Sequence, residues 1–294
     1  MAAIMFRLLH VFLLSMALVL GLGAVLQLGY GLLQHLEPVN RRPGDVYDPS
    51  LARLNTLDRL ETFVDSLARA QQLSPDSLPA YINLADSVVR MRFYHGLQNY
   101  RFADNWLANV LGKYVWVHLG AKVIPDDILQ GQKAFCSQSS IVFQELLKRK
   151  GFDVRSVLLP GHFCTEVSIR GQWQFHDVSY KPSFLGLPTL SAQDLMDNPG
   201  YIKQAYLFSF ADNFLANYQQ HFDARLVRYG QVNAFAAPNM LLFHRITHFV
   251  SLWGWVVCLA LAWSVHRLHH GVWMRRKLMP TRNPRPVWVE ALRE

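Results

Sequence analysis

The sequence predicts an α+β domain, in which helices pack on an antiparallel sheet, placed between two transmembrane helices. Its 294 residues are 51% hydrophobic and only 17% charged, which is too apolar for an ordinary soluble chain. Long uncharged runs stand near both ends. Between them, apolar residues at helical spacing are followed by three short runs typical of β-strands, which are separated by turns that contain glycine. The aromatic content of 13% excludes a disordered chain, and three cysteines are too few for a disulfide scaffold.

The first transmembrane helix is predicted at residues 11–33, after a cytoplasmic amino terminus at residues 1–10. This run carries no charge. It is also long enough to cross roughly 30 Å of hydrocarbon. A cleaved signal peptide is the alternative, because Arg7 precedes the apolar run. The length of the run and its lack of a small-x-small cleavage motif favour the membrane helix. Residues 34–50, rich in proline, glycine and arginine, are predicted to form a linker.

The second transmembrane helix is predicted at residues 246–265, with tryptophans near its ends. The tail that follows, residues 266–294, holds seven lysines and arginines against two acidic residues. The positive-inside rule therefore places both termini in the cytoplasm and residues 51–245 outside it. In a Gram-negative cell this topology corresponds to an inner-membrane protein with a periplasmic domain.

The net charge of +8 does not indicate nucleic-acid binding, because the basic excess is local. Residues 34–248 hold 21 basic and 19 acidic residues, too even a balance for a phosphate-binding stripe. His244 and His248, one helical turn apart, could belong to a haem or metal site. No carboxylate or cysteine near them in sequence completes a ligand set, so we interpret them as interfacial residues and expect no cofactor and no bound metal.

The domain between the membrane helices is predicted to be helical first and then to form a sheet. The predicted elements are a helix over Leu51–Leu73, a helical pattern over Leu84–Leu111, a helix over Cys136–Lys150, and strands over Val154–Leu159, His162–Ile169 and Gln172–Tyr180. Gly151 stops the third helix, and Arg170-Gly171 makes a tight turn between the last two strands. This order predicts a helix packed on an antiparallel sheet.

Three residues of this sheet-forming half carry the functional groups of an acyl-transfer site. Cys136 opens a helix, where unpaired N–H groups and the helix dipole lower the pKa of a thiol. His162 opens the second strand, and Asp177 lies on the third strand, across a tight turn. A thiol, a base that takes its proton and a carboxylate that orients the base are the parts of nucleophilic catalysis.

Three stretches around these residues carry a resemblance to a known family: GQKAFCSQSSIVFQELLKRKGFDVRSV, GHFCTEV and GQWQFHDVSY. In them the chain resembles the transglutaminase-like superfamily, whose members build a papain-like site on a helix and an antiparallel sheet. The resemblance covers about Gln130 to Tyr180. It implies that Cys136 attacks an amide or ester carbonyl, that His162 is the base and that Asp177 orients it.

Candidates for the oxyanion donor lie just before the cysteine. The backbone N–H of Cys136 stands at a helix amino end, the usual place for such a donor. Gln130 and Gln132 are further candidates by analogy with the upstream glutamine of papain-like proteases. Cys164 leaves an alternative open, because it shares a strand face with His162 and could form a disulfide with Cys136 that would abolish the thiolate.

The function predicted from these features is thiol-mediated hydrolysis or acyl transfer by a membrane-anchored enzyme. Its substrate would be a peptide, protein or glycan of the cell envelope, cleaved at an amide or ester. Its partners would be the lipid bilayer and other members of a membrane complex, with no nucleic acid. The alternative is a non-catalytic papain-like module that serves as a scaffold in an envelope polysaccharide or protein assembly complex.

Overall fold

The structure is a computed structural model, which describes residues 2–32, 46–73, 78–159, 161–180, 190–198, 200–201, 206 and 227–278. Most of the predicted linker and the end of the predicted tail lie outside the described residues. The helices are α1 (Ala2–Leu32), α2 (Leu57–Ala70), α3 (Leu78–Arg92), α4 (Trp106–Tyr114), α5 (Pro125–Leu129), α6 (Cys136–Arg149), α7 (Ala192–Asp197) and α8 (Pro238–Leu278). The strands are β1 (Tyr94–His95), β2 (Lys133–Ala134), β3 (Val154–Leu159), β4 (His162–Ile169), β5 (Gln172–His176) and β6 (Arg228–Tyr229). Two short 3-10 turns, at Pro49–Arg53 and Val117–Gly120, complete the described elements.

The predicted α+β class is confirmed, because helices pack on a small antiparallel sheet with the strand order β5-β4-β3-β6. The β4–β5 turn is as tight as predicted: Ile169 pairs with Gln172. Arg170 and Gly171 between them adopt φ values of 52° and 81°. Positive φ at both central residues is the two-residue hairpin turn whose twist matches that of the strands. This turn brings the ends of β4 and β5 into register and so determines which side chains of the two strands lie together.

Helix α6 joins the sheet to the rest of the domain. Its apolar face, from Ile141 to Leu147, is fully or almost fully buried against β3, β4 and the helices α2 and α3. Gln144 is also buried in this layer, where it donates to the Thr165 hydroxyl at 2.9 Å and accepts from the Ser156 hydroxyl at 3.2 Å. These bonds attach the middle of α6 to strands β3 and β4.

The helical half of the domain differs from the prediction at two places. The helix predicted from Leu51 begins at Leu57, because Thr56 caps it by accepting from the Arg59 N–H at 3.3 Å. The helical pattern predicted over Leu84–Leu111 is also wrong as a single segment, because the structure has two separate helices there. Its backbone leaves the helix after Arg92 to pair β1 with β2 in parallel, and a new helix, α4, starts where Asn105 accepts from the Ala108 N–H at 3.1 Å. Caps and strand pairing thus outweigh the helical spacing of apolar residues.

Among the residues that the structure describes, helices α1 and α8 each contain a segment long and apolar enough to cross a membrane, Ile4–Gly31 of 28 residues and Pro238–Gly271 of 34 residues. They pack side by side in antiparallel orientation: the rings of Phe6 and His269 lie 5.9 Å apart, and the His10 Nδ1–H donates to the Ala262 carbonyl at 3.0 Å.

Helix α8 starts eight residues before the predicted boundary at residue 246, because its first turns pack on the domain. The ring Nε2 of His244 bonds the Leu119 carbonyl at 3.0 Å, and that of His248 bonds Asp127 Oδ2 at 3.1 Å. These two histidines, interpreted from the sequence as membrane-interface residues, therefore link α8 to the domain. The carboxylate of Asp127, 121 residues away, is the partner that the local sequence could not indicate.

Candidate active site

Cys136 is the first residue of α6, and Gln138 fixes the turn that carries it. The Gln138 amide oxygen accepts from the backbone N–H groups of Phe135 at 3.2 Å and of Gln98 at 3.0 Å. Its amide nitrogen donates to the carbonyls of Gln98 at 2.7 Å and of Lys122 at 2.9 Å. One buried side chain therefore ties the amino end of α6 to two loops that lie far from it in sequence.

His162 and Asp177 form a buried pair beside this helix end. His162, the first residue of β4, has its Nε2 2.7 Å from Asp177 Oδ2, and both side chains are almost fully buried. The Tyr206 hydroxyl donates to the same carboxylate oxygen at 2.8 Å. Asp177 thus holds the imidazole in one orientation, with Nδ1 as the nitrogen that can serve another group.

Asp177 does not lie on a strand as predicted, because β5 ends one residue earlier, at His176. Its second carboxylate oxygen accepts from the backbone N–H groups of Ser179 at 2.9 Å and Tyr180 at 3.3 Å. This side-chain turn offers the backbone donors an alternative to the sheet and ends the strand. His176, the last residue of β5, has its Nδ1 3.3 Å from Asp86 Oδ2.

The Cys136 thiol is hydrogen bonded to His162 and is half-buried. Burial opposes ionisation of the thiol, but the hydrogen bond and the positive charge of His162, with a backbone hydrogen bond from Phe163, outweigh burial and lower the pKa of Cys136. Burial likewise opposes the charged imidazole. Here the charge of Asp177 and the bonds of the ring to Asp177 and Cys136 prevail and raise the pKa of His162 well above its usual range. The geometry therefore favours a thiolate beside an imidazolium.

Cys164 is the second thiol of this site, two residues after His162 on the same strand. It is fully buried, and burial, with the charge of Asp177, raises its pKa to about 12. All three described cysteines, Cys136, Cys164 and Cys258, are free, so the alternative of a Cys136–Cys164 bridge is not realised.

A metal ion is the other species that this site could hold. Within the described ranges, the side-chain donor atoms of His162, Cys164 and Asp177 lie within 4.8 Å of one another. The set of one nitrogen, one sulfur and one oxygen suits zinc. Two of these three residues also belong to the candidate triad, so metal binding and nucleophilic catalysis would compete for the same side chains.

The two glutamines predicted as oxyanion donors form hydrogen bonds with residues other than Cys136. Gln130 donates its amide to the Asn55 carbonyl at 3.0 Å, and Gln132 accepts from the Tyr47 hydroxyl at 3.0 Å. The backbone N–H of Cys136, at the amino end of α6, is the donor that the helix itself positions beside the sulfur.

Several site residues were not predicted from the sequence. The His95 ring lies 5.0 Å from the Phe135 ring and 5.8 Å from that of Tyr180, and Tyr180 in turn lies 5.2 Å from the His162 ring. These aromatic rings surround the site. Tyr206 and His95 carry no sequence signal, since long-range contacts alone place them there. Gln138 stands three residues after a helix cap, the position at which a glutamine typically completes a capping box, and this signal could have found it.

No family model, no curated protein and no solved structure matches this chain.

Proposed function

We propose that this chain is a membrane-anchored cysteine hydrolase or acyltransferase that acts on an amide or ester of the cell envelope. The observation that carries the proposal is the continuous series of hydrogen bonds from the half-buried Cys136 thiol through His162 to the buried Asp177 carboxylate. A lowered thiol pKa at a helix amino end is the condition that a cysteine nucleophile requires.

In the first half of the reaction, the Cys136 thiolate attacks the substrate carbonyl carbon and forms a tetrahedral intermediate. The backbone N–H at the start of α6 stabilises the oxyanion. His162 then transfers its proton to the leaving amine or alcohol, the bond to that group breaks, and a thioester remains on Cys136. Asp177 keeps the ring oriented and stabilises the imidazolium throughout.

In the second half, a nucleophile releases the acyl group. His162 takes a proton from water or from an amine, which attacks the thioester carbonyl and displaces the Cys136 sulfur. Water yields a carboxylic acid and an amine yields a new amide. We propose hydrolysis as the main outcome, because transfer requires a site that excludes water and Cys136 is only half-buried.

The proposed location is the inner membrane, with both termini in the cytoplasm and the domain in the periplasm. The antiparallel packing of α1 on α8 supports the two-span topology. Arg7 and Arg267 lie at the same end of this helix pair, as the positive-inside rule requires of a cytoplasmic face.

The resemblance to the transglutaminase-like superfamily supports the same proposal. The residues that carry the resemblance, Cys136, His162 and Asp177, are those that meet in the site. Their order along the chain is that of the family. The helix and antiparallel sheet that present them are also the elements on which a papain-like site is built.

The test is the pH dependence of alkylation of Cys136 by iodoacetamide, followed by mass spectrometry on the full-length protein in detergent. We expect Cys136 to react well below the usual thiol pKa of about 8.5, and His162→Ala to abolish this reactivity. His176→Ala is the matched control, because it removes a buried histidine of the neighbouring strand that contacts Asp86 and not the thiol. This control should leave the pH profile unchanged.

A Cys136 that titrates as an ordinary thiol in both wild type and His162→Ala would contradict the proposal and favour the non-catalytic scaffold. A positive result leads to assays on amide and ester libraries. In these assays Cys136→Ala should abolish turnover. Zinc that binds the protein and perturbs the Cys136 profile would favour metal binding at the same side chains instead.

A further inference from the structure

The base of α4 reaches into the apolar part of the membrane helices. The Trp106 ring lies so close to Gly23 that a Cβ there would stand 2.5 Å from it, and its indole N–H donates to the Ser251 carbonyl at 3.3 Å. Gly23 lies inside the uncharged run of α1, nine residues before the end of the helix at Leu32, which is about 13 Å along the axis. Trp106 therefore lies at the depth of the outer part of the apolar segments.

From this base the chain forms a tight hairpin. Helix α4 runs out to Tyr114, and the 3-10 turn Val117–Gly120 brings the chain back. Gly112 and Gly120 make close contact where the two arms cross, since a Cβ on Gly112 would lie 2.6 Å from the Gly120 backbone. The Leu119 carbonyl then bonds His244 of α8 at 3.0 Å. Both arms of the hairpin are thus attached beside the extracytoplasmic ends of the membrane helices.

The tip of this hairpin exposes four consecutive large apolar side chains, Tyr114, Val115, Trp116 and Val117, which are 51–72% exposed. Lys113 lies 5.2 Å from the Tyr114 ring centre, and His118 flanks the other side with its ring 4.9 Å from that of Trp116. Tyrosine and tryptophan flanked by basic side chains are the residues that occupy the headgroup layer of a bilayer.

We propose that the hairpin tip, residues 114–117, inserts into the extracytoplasmic leaflet as a third membrane contact beside α1 and α8. This inference rests on the membrane location given under the proposed function. The occupant is lipid because the hairpin starts at Trp106, which contacts both α1 and α8, and because its exposed aromatic tip is flanked by Lys113 and His118. Lys113 and His118 are placed to meet lipid phosphates while the four apolar side chains leave water.

Membrane contact by the tip would fix the orientation of the candidate active site. The hairpin continues through Gly120 to Lys122, whose carbonyl accepts from the Gln138 amide at 2.9 Å. Gln138 in turn holds the first turn of α6, which carries Cys136. The thiol would therefore be kept at a set height and angle above the bilayer, toward substrates held at the membrane surface.

The test is a nitroxide spin label at Val115→Cys in the full-length protein, reconstituted in phosphatidylethanolamine and phosphatidylglycerol vesicles. Cys136→Ser and Cys258→Ser remove the two half-buried thiols, while the fully buried Cys164 does not label in the native state. Power-saturation spectroscopy compares collisions of the label with oxygen, which concentrates in lipid, and with a nickel chelate, which stays in water.

Two reference positions calibrate the measurement. Leu18→Cys lies on an exposed face of α1 and reports lipid, and Ser66→Cys lies on the exposed, charge-rich face of α2 and reports water. We expect the oxygen-to-nickel ratio at Val115 to be several-fold above that at Ser66 and close to that at Leu18.

A ratio at Val115 equal to that at Ser66, with Leu18 in lipid, would overturn the inference and leave the tip as a contact for another protein. A label at Leu18 that behaves as in water would instead show that the membrane location is wrong, and the inference would fall with it. The two failures are therefore distinguishable.

Discussion

Gln138 offers the sharpest test of how the fold supports Cys136. Gln138→Met keeps most of the side-chain volume but removes all four hydrogen bonds. Three main-chain groups are left without a partner, the N–H of Phe135, the N–H of Gln98 and the carbonyl of Lys122, whereas the Gln98 carbonyl still accepts from the Lys122 N–H at 3.0 Å. Gln144→Met is the matched control on the same helix, because it is equally buried but bonds only two side-chain hydroxyls.

The expected magnitudes follow from these partners. A buried polar group that loses its partner costs about 1–3 kcal/mol, and the low end applies where loops can relax toward water. We therefore expect Gln138→Met to lower the free energy of unfolding by about 3 kcal/mol, since three main-chain groups lose their partner. The Gln144→Met variant should cost about 2 kcal/mol, because its partners are hydroxyls of Thr165 and Ser156 that can rotate to other acceptors.

The assay is urea unfolding of the detergent-solubilised protein, followed by near-ultraviolet circular dichroism, with iodoacetamide labelling of Cys136 under native conditions as a second measurement. Gln138→Met should also raise the pH at which Cys136 reacts, because the first turn of α6 loses its anchor. A Gln138→Met variant no less stable than Gln144→Met, with an unchanged Cys136 profile, would refute the assigned role of Gln138.

Two further substitutions test the buried pair of His162 and Asp177 and the packing of Trp106 on α1. The raised pKa of His162 contributes stability that is fully present below its unfolded value of about 6.5 and is lost as the pH rises through the folded pKa. The lowered pKa of Asp177 contributes stability above its unfolded value of about 3.9 and loses it as the pH falls through the folded pKa. Asp177→Asn should therefore lower the melting temperature most between about pH 4 and 6.5 and less at pH 9. An equal decrease in melting temperature at all pH values would contradict the assigned ion pair. Gly23→Ala should displace Trp106 and lower the free energy of unfolding by about 1–3 kcal/mol, as at other overpacked sites. Gly29→Ala is the control, because no atom lies within 4 Å of the new Cβ, and it should leave the melting temperature unchanged. Equal melting temperatures for the two variants would contradict the close packing of Trp106 on α1.

Much of the sheet-forming half of the domain was predictable from the sequence, because its signals are local. The bounds of β3 and β4 are those of the predicted strands, and α6 begins at Cys136 as expected. Three local signals determine these bounds: the alternating apolar residues, Gly151 after the helix and the Arg170-Gly171 turn. Each affects the structure only within a few residues along the chain, so no distant contact is needed to predict it.

The helical half was less predictable, because apolar spacing alone does not show where a helix stops. The break after Arg92 arises from pairing of β1 with β2, whose residues lie about forty positions apart. The early start of α8 arises from contacts of His244 and His248 with Leu119 and Asp127. No local sequence pattern predicts contacts between residues so far apart in the chain.

For the candidate site, the sequence by itself determined the chemical types and their order: a cysteine at a helix start, a histidine that opens a strand, and an aspartate beyond the next tight turn. Only the tertiary structure decided what surrounds them. It ended β5 before Asp177, brought the Tyr206 hydroxyl to that carboxylate, and attached Gln138 to two distant loops. The physical reason is that secondary structure follows from neighbouring residues, whereas the protonation and orientation of a buried site depend on hydrogen-bond partners that folding alone brings together.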